Sequence, residues 1–478
     1  MEARETLAIW LGKAAIWLSH VLGLGGSSFP GGLARRIAPN LLRCLAVQLP
    51  QGVVLITGTN GKTTTARLTS GVFRAAGLRV VHNRSGANLI AGVVTAFVAA
   101  ADWHGRLSAD IGLVECDEAT VPRAVAELPV RVLLVTNFFR DQLDRFGELA
   151  HTVELVRSGA ARLTPEAKLL LNADDPLVAG IGREVGHPAV HYGLEDDRHG
   201  SRQMVQSHEA ERCPDCGWPY VYDRYYYAHL GRYRCAKCGQ GRPRPDVAAT
   251  RVELVEARGS QLEITSPKGC FTVLVGLPGL YNAYNALAAA AAGLAVGIEP
   301  EVVRRGLAEA GGSFGRMEPI DVDGRLVLIA LVKNPVGFNE VIRTILGDPA
   351  PKRLVIAIND NYADGTDISW LWDVDFERLA GAEGGGEGGA EAGSEGGVEI
   401  DFVITSGTRA EDMAVRLKYA GVETNKITVE EDLGAALGLA LKRLGPGQTL
   451  YVLPTYTAML EVRRVITTMG YAKPFWQA

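Results

Sequence analysis

The sequence predicts an α/β protein: a parallel sheet that opens on a P-loop, a four-cysteine ribbon inserted into that domain, and a Rossmann-like α/β domain behind it. Three observations carry this. Short apolar runs alternate with helical stretches in two separate series, a glycine-rich turn closes the first run, and two CxxC pairs stand 18 residues apart. The chain has 478 residues, enough at about 150 per domain for two to four domains. Its 49 basic and 54 acidic residues leave a formal charge of −5, which argues against a nucleic-acid coat, since such a coat needs net positive charge to release counterions. A hydrophobic content of 47% with 22% charged residues marks a globular chain and excludes a disordered one. Seven cysteines are too few for a disulfide scaffold, and the two CxxC pairs point to a metal in a reducing compartment.

In chain order, residues 1–45 read as a helical leader. Leu7, Trp10, Leu11, Ala14, Trp17, Leu18, Val21 and Leu22 recur at helical spacing. Lys13 and His20 interrupt the run and Glu2, Arg4 and Glu5 precede it, so neither a membrane span nor a signal peptide is expected. The apolar stripe is expected to pack on the protein itself. Docking on a membrane surface is the alternative, because two Trp on one face suit an interface. The chain therefore reads as cytoplasmic, with a peripheral place at the inner face of the membrane as the second reading.

Residues 46–318 form the expected central domain. The basic residues Arg35, Arg36 and Arg43 lead into an apolar strand over 52–58, and a helix should begin near Lys62. Further strands are expected at 111–114, 130–136 and 169–171, and an Ala-rich helix over 282–296. A ribbon is expected over about 205–245, built on the CxxC pairs. The second series, at 326–331, 354–358, 402–404 and 450–453, marks a domain over 319–478. Residues 381–397 hold nine Gly and four Glu in 17 positions, a composition that cannot bury a core and reads as a flexible surface loop.

The strongest chemical signal is Gly58-Thr59-Asn60-Gly61-Lys62-Thr63-Thr64-Thr65, directly after the first strand. A glycine-rich turn lets backbone N–H groups close on a polyphosphate, Lys62 supplies a mobile cation and Thr63 can hold Mg²⁺. The spacing is two residues shorter between the glycines than in the common P-loop. Glu115 ends another apolar strand, so it emerges at the carboxyl end of the sheet, where it can complete the Mg²⁺ shell. Asp117 and Glu118 compete for that role. Asn137 ends the next strand and suits either base recognition or helix capping. Cys213, Cys216, Cys235 and Cys238 can place four thiolates around Zn²⁺; a closed four-thiolate shell leaves no place for water and so serves structure. The aromatic run Tyr225-Tyr226-Tyr227 is expected to form the ribbon's small core.

The motifs GTNGKTTT, VECDE, TNFFRDQLD, LNADDP, LPGLYNAYNALAA and GRME occur here in the order found in Mur ligases, which the chain resembles from about residue 50 to 318. The resemblance implies a reaction in which ATP phosphorylates a carboxylate and an amine attacks the acyl phosphate. It further implies that Gly58 to Thr64 hold the phosphates, with Lys62 and Glu115 catalytic. It gives Thr63 and Glu115 to Mg²⁺, Asn137 and Asn285 to adenine, and Arg316 to ATP near the interdomain hinge. For Asn282 and Asn285, helix capping is the competing role.

Three departures narrow the match. Only about 50 residues precede the loop, too few for the UDP-binding domain of Mur ligases. The ribbon is extra, and the second domain opens on Lys333-Asn334-Pro335-Val336-Gly337-Phe338 and continues with Asp364-Gly365-Thr366-Asp367-Ile368-Ser369-Trp370. With these, the chain resembles the MurT family, the Mur-ligase-like subunits of lipid II isoglutaminyl synthase. That resemblance implies ATP-dependent amidation of the α-carboxylate of D-glutamate in lipid II, reached at the inner leaflet. Its ammonia would come from a GatD-type class I glutaminase bound to the second domain as a heterodimer. An acid of the second domain would complete the partner's Cys–His pair, and Asp367 is favoured over Asp364. No glutaminase nucleophile is evident among Cys44, Cys116 and Cys270. An amino-acid-adding Mur ligase or a folylpolyglutamate-synthetase-like ligase is the alternative.

Overall fold

A computed structural model describes residues 3–21, 28–83, 87–140, 149–202, 212–255, 259–310, 316–381 and 399–472. The glycine-rich loop expected over 381–397 lies, beyond Gly381, outside the described residues, as do Asp141 to Asp144 of the TNFFRDQLD motif.

The central domain is one nine-stranded sheet. Its parallel part comprises β1 (Val53–Thr57), β2 (Val80–His82), β3 (Ile111–Glu115), β4 (Val130–Val135), β5 (Lys168–Asn172) and β6 (Ala189–Leu194), in the spatial order β2-β3-β1-β4-β5-β6. Every residue of β1 and β3 is buried, as the unbroken apolar runs require of strands covered on both faces. Beyond β6 the sheet is extended by a parallel β9 (Val247–Val255) and then by antiparallel β10 (Gly259–Ser266) and β11 (Gly269–Val275). These last strands bury Val252, Leu262, Ile264 and Val273 in alternation with exposed neighbours, as strands with one face toward solvent do.

Helices Lys62–Ala75, Leu280–Ala295 and Pro300–Glu309 cover one face of this sheet. The other face is covered by Ile90–Ala100 and by three N-terminal helices, Ala3–Val21, Phe29–Ile37 and Leu41–Ala46. The first of these corrects an expectation. Its inward face is the small one, with Ala8, Ala15 and Ser19 buried beside Ile9. A Cβ on Gly12 would lie only 2.9 Å from the Val98 side chain. Leu7, Trp10, Leu11, Trp17, Leu18 and Val21 point to solvent. Close approach of two helices demands small residues at the seam, which leaves the large apolar ones outside. Among the described residues, no helix is long and apolar enough to cross a membrane.

The insertion is a hairpin of β7 (Tyr220–Tyr227) and β8 (Leu230–Cys235). Its aromatics differ from expectation as well. Tyr226 and Tyr227 join the core of the central domain: Tyr227 packs edge-on to Tyr284 at 5.5 Å, and the Tyr226 hydroxyl donates to the Leu194 carbonyl at 3.0 Å. A short hairpin has too little volume to bury such rings by itself, so it borrows the core of the sheet beneath it.

The second domain is a six-stranded sheet of β12 (Arg316–Val322), β13 (Arg325–Ala330), β14 (Lys352–Ala357), β15 (Ile400–Ser406), β16 (Ile427–Val429) and β17 (Thr449–Pro454). Its order is β12-β13-β17-β14-β15-β16, parallel except for the edge strand β12. Helix Pro335–Leu346 joins the domains. Its capping Asn334 donates to the Asn60 side chain at 3.0 Å, and Arg343 donates to the Tyr226 carbonyl at 2.8 Å.

Candidate functional site

The phosphate loop runs from the end of β1 to the helix beginning at Lys62, so its backbone meets the positive end of that helix. Gly58 and Gly61 both have positive φ, +123° and +86°. A Cβ on Gly61 would stand 2.1 Å from Asn285 Oδ1, and one on Gly58 2.3 Å from Thr136 Oγ1. Glycine is needed at both positions for conformation and for room.

Three neighbours brace the loop. Asn137 accepts from the Asn60 N–H at 2.9 Å and donates from Nδ2 to the Asn60 carbonyl at 3.1 Å. The Thr136 hydroxyl donates to the same carbonyl at 2.9 Å. Asn285 accepts from Thr65 at 3.4 Å and donates to Asn282 Oδ1 at 3.1 Å. Asn282 in turn donates to the Pro278 carbonyl at 2.7 Å. Here both ends of the Asn137 amide hold the loop in shape, a role the sequence reading did not foresee. Arg316 opens β12, and its side chain lies outside the described residues.

Lys62 Nζ donates to the Gly58 carbonyl and, at 3.3 Å, to that of Thr59; it lies 3.7 Å from Glu118 and 3.9 Å from Asp117. Those two acids thus flank the lysine. The acid beside Thr63 is Glu115: the Thr63 hydroxyl donates to Glu115 Oε1 at 2.8 Å. Glu115 is 2% exposed, and Asn83 clamps its backbone with bonds of 2.9 Å to the N–H and 2.7 Å to the carbonyl. A buried carboxylate and a hydroxyl converging beside a phosphate loop are hard oxygen donors, the set Mg²⁺ takes together with phosphate oxygens and water. The residues fit that ion. Asn83 carried no motif signal, and its part is visible only from the fold. Next to Glu115, Cys116 is fully buried, and burial pushes its thiol up and out of the reactive range.

The four ribbon cysteines converge with all Sγ atoms within 4.8 Å of one another, Cys213 to Cys238 at 3.6 Å and Cys216 to Cys235 at 3.4 Å. Four thiolates at the usual Zn–S bond of about 2.3 Å stand roughly 3.8 Å apart, so the donors fit a tetrahedral Zn²⁺. Backbone N–H groups, that of Cys238 foremost, lower the Cys235 thiol to about 7, whereas burial and the neighbouring thiols raise Cys216 and Cys238, so a bound metal would be what holds all four as thiolates.

The two aspartates of the second domain differ. Asp364 is buried, and both carboxylate oxygens are taken at the start of helix Tyr456–Thr468, by the Thr457 N–H at 2.7 Å and its hydroxyl at 2.5 Å. Asp367 is exposed and accepts from the Ser369 N–H at 2.8 Å; that bond keeps its carboxyl below the usual range. Of the two, Asp367 is the exposed carboxylate.

Comparison with known proteins follows the same division. The family description "Mur ligase middle domain" matches residues 56–214, and "MurT ligase C-terminal" matches residues 331–459. The chain is 33% identical over 468 residues, 98% of each sequence, to a Streptococcus pneumoniae protein named lipid II isoglutaminyl synthase (glutamine-hydrolyzing) subunit MurT. It is equally 33% identical to the Staphylococcus aureus (strain COL) protein of that name, over 95% of this chain and 96% of the relative. Among solved structures, a pseudomurein peptide ligase type C from Methanothermus fervidus superposes with a TM-score of 0.66 at 24% identity, covering 90% of this chain and 81% of that one. MurF from Acinetobacter baumannii superposes at 0.63 with 17% identity, covering 91% and 80%. These two likenesses speak to the fold.

Proposed function

This chain belongs to the MurT family of lipid II isoglutaminyl synthase subunits, and from that premise we propose that it amidates the α-carboxylate of D-glutamate in the lipid II stem peptide, giving D-isoglutamine at the expense of ATP. The observation that supports this most directly is the phosphate loop with Thr63 and Glu115 converging beside it. Loop N–H groups and Lys62 hold the triphosphate and take up charge as the terminal phosphoryl group is transferred. Thr63 and Glu115 hold Mg²⁺, which when bound neutralises phosphate charge.

The substrate carboxylate attacks the γ-phosphorus as the bond to the β-phosphate oxygen breaks, leaving ADP and an acyl phosphate. Ammonia then adds to the acyl carbon, phosphate leaves, and the nitrogen gives up a proton. Ammonium dominates over ammonia in neutral water, so a shielded supply favours the second step. The name shared by the relatives makes the protein a subunit of a glutamine-hydrolysing complex. The finer reading is that the partner is a GatD-type class I glutaminase whose Cys–His pair is completed by Asp367, in the orienting role an acid plays in triads. Zn²⁺ at the four cysteines is structural. Asn285, Asn137 and Arg316 are the candidates to touch the nucleotide. Lipid II is met at the inner leaflet.

The test is reconstitution with the partner, ATP, glutamine and lipid II, with mass spectrometry of the stem peptide. Amidated product that disappears in Lys62→Ala is expected. Addition of a free amino acid instead would establish the alternative, an amino-acid-adding ligase.

A further inference from the structure

The N-terminal helix presents its apolar residues the wrong way round for a helix that only packs on its own domain. Leu7, Trp10, Leu11, Trp17, Leu18 and Val21 lie on the solvent side at i, i+3, i+4 and i+7 spacing, with Trp17 67% exposed. Phe29, 69% exposed at the start of the next helix, follows this stripe in the chain. The inward face is already complete: Gly12 touches Val98, and Ala8, Ala15 and Ser19 are buried. No rearrangement within this domain is needed to explain the outer stripe, and solvent is a poor neighbour for it.

We propose that this stripe is a docking face for an anionic lipid surface, lying in the plane of the interface without crossing it. Three observations commit the occupant. First, residues 1–50 carry five basic side chains against two acidic; Arg35 pairs with Glu127 of the central domain, and with that pair set aside the segment keeps a local charge of +2 whereas the remaining chain carries −7. An anionic bilayer therefore attracts this end of the molecule and repels the rest. Second, Trp10 and Trp103 sit together at the surface, Trp10 Nε1 donating to the Trp103 carbonyl at 2.8 Å. Lys13 lies 5.5 Å above the Trp103 ring. Indole beside lysine is the chemistry of the headgroup level. Third, the helix runs antiparallel to Ile90–Ala100, since Trp10 meets Trp103 and Lys13 donates to the Ala99 carbonyl at 3.3 Å. Its Trp17 end thus lies toward Ile90, and nearby Asn88 bonds Asp117 at the carboxyl end of the sheet. The docking face extends toward the end where the phosphate loop opens. That is the placement a lipid-linked substrate requires, and to that extent the inference rests on the function proposed above.

The test is flotation of the full chain, with and without its partner subunit, on vesicles of phosphatidylcholine alone or mixed with phosphatidylglycerol. Wild type is expected to float with the anionic vesicles, less so at high salt, and with a blue shift in tryptophan emission. Trp17→Ser/Leu18→Ser, and separately Leu7→Ser/Leu11→Ser, are expected to reduce the bound fraction about tenfold or more while keeping the thermal midpoint of wild type. Wild type that stays unbound, or variants that float as well as wild type, overturn the proposal. So does loss of the partner complex or of a wild-type dimer in the variants, which would make the stripe a protein contact. Phosphate release with a water-soluble short-chain lipid II analogue is measured on the same samples and is expected to be equal. If it is absent from all of them, the function fails, while the flotation result stands by itself.

Discussion

Replacing Gly61 by alanine strikes the phosphate loop where it has least room. The residue sits at φ +86°, so any L side chain there costs about 1–2 kcal/mol in the left-handed region. The new Cβ would also lie 2.1 Å from Asn285 Oδ1, well inside van der Waals contact. Asn285 is buried and tied to Asn282 by a 3.1 Å bond, so it cannot swing aside freely. Overpacking of this kind costs about 1–3 kcal/mol, which brings the total to roughly 2–5 kcal/mol. Because nucleotide binding needs the loop in this conformation, affinity for a fluorescent ATP analogue with Mg²⁺ is expected to fall at least roughly 30-fold. Asn285→Ala in the same chain removes the clash and leaves the φ strain. A double-mutant cycle should therefore return a favourable coupling of about 1–3 kcal/mol, whatever Asn285→Ala costs alone. Binding by Gly61→Ala within about twofold of wild type, or a coupling near zero, would refute the reasoning.

Other outcomes follow from the same geometry. Glu115→Gln should lower phosphate release roughly 10²–10³-fold and shift the Mg²⁺ titration to higher concentration, since the Thr63 hydroxyl would keep a neighbour that binds the ion poorly. Asp367→Asn should abolish glutamine-driven amidation and spare the reaction driven by ammonium salts; loss of both would move the triad acid elsewhere. Asp364→Ala should instead lower the thermal midpoint, because it removes both acceptors of Thr457 at a cost of about 2–3 kcal/mol. Chelation should strip close to one Zn²⁺ per chain and loosen the ribbon, read by elemental analysis and by proteolysis near Cys216. Acidification should do the same. Protons compete with the metal for the four thiolates, so occupancy falls as pH falls.

The parallel core was legible because strands buried on both faces must be apolar throughout: β1, β3, β4 and β5 lie within a residue or two of their expected limits. Half-exposed β9 and β10 were not, since Val252, Leu262 and Ile264 alternate with Arg251, Glu253 and Glu263, and the apolar run of β11 is only Val273-Leu274-Val275. In the site, the pairing of Thr63 with Glu115 was readable, because a strand end and a loop end at one edge of a sheet must come together. The bracing by Asn83, and by Asn334 from the other domain, depends on connections far apart in the chain. The N-terminal helix was misread for a definite reason. Periodicity identifies the apolar face but not its partner, and here tight packing on Ile90–Ala100 selected the small-residue face instead.

The two chemistries proposed for this chain, phosphoryl transfer in the central domain and completion of a partner's triad in the second, are joined by one short structural route. Asn334, the cap of helix Pro335–Leu346, bonds Asn60 in the phosphate loop. One turn on, Phe338 packs edge-on to Phe376 at 4.9 Å and against Trp370 at 6.4 Å, and Asn339 accepts from the Asp375 N–H at 2.8 Å. These contacts anchor the segment that carries Asp367. Arg140, just past β4 in the central domain, lies close enough to Asp367 to favour its charged form. A change in the phosphate loop therefore meets the Asp367 segment through packed side chains, without crossing solvent. That continuity fixes where coupling must be sought: at Asn334 and Phe338, whose substitution would alter the effect of nucleotide on glutamine hydrolysis without touching either reacting group.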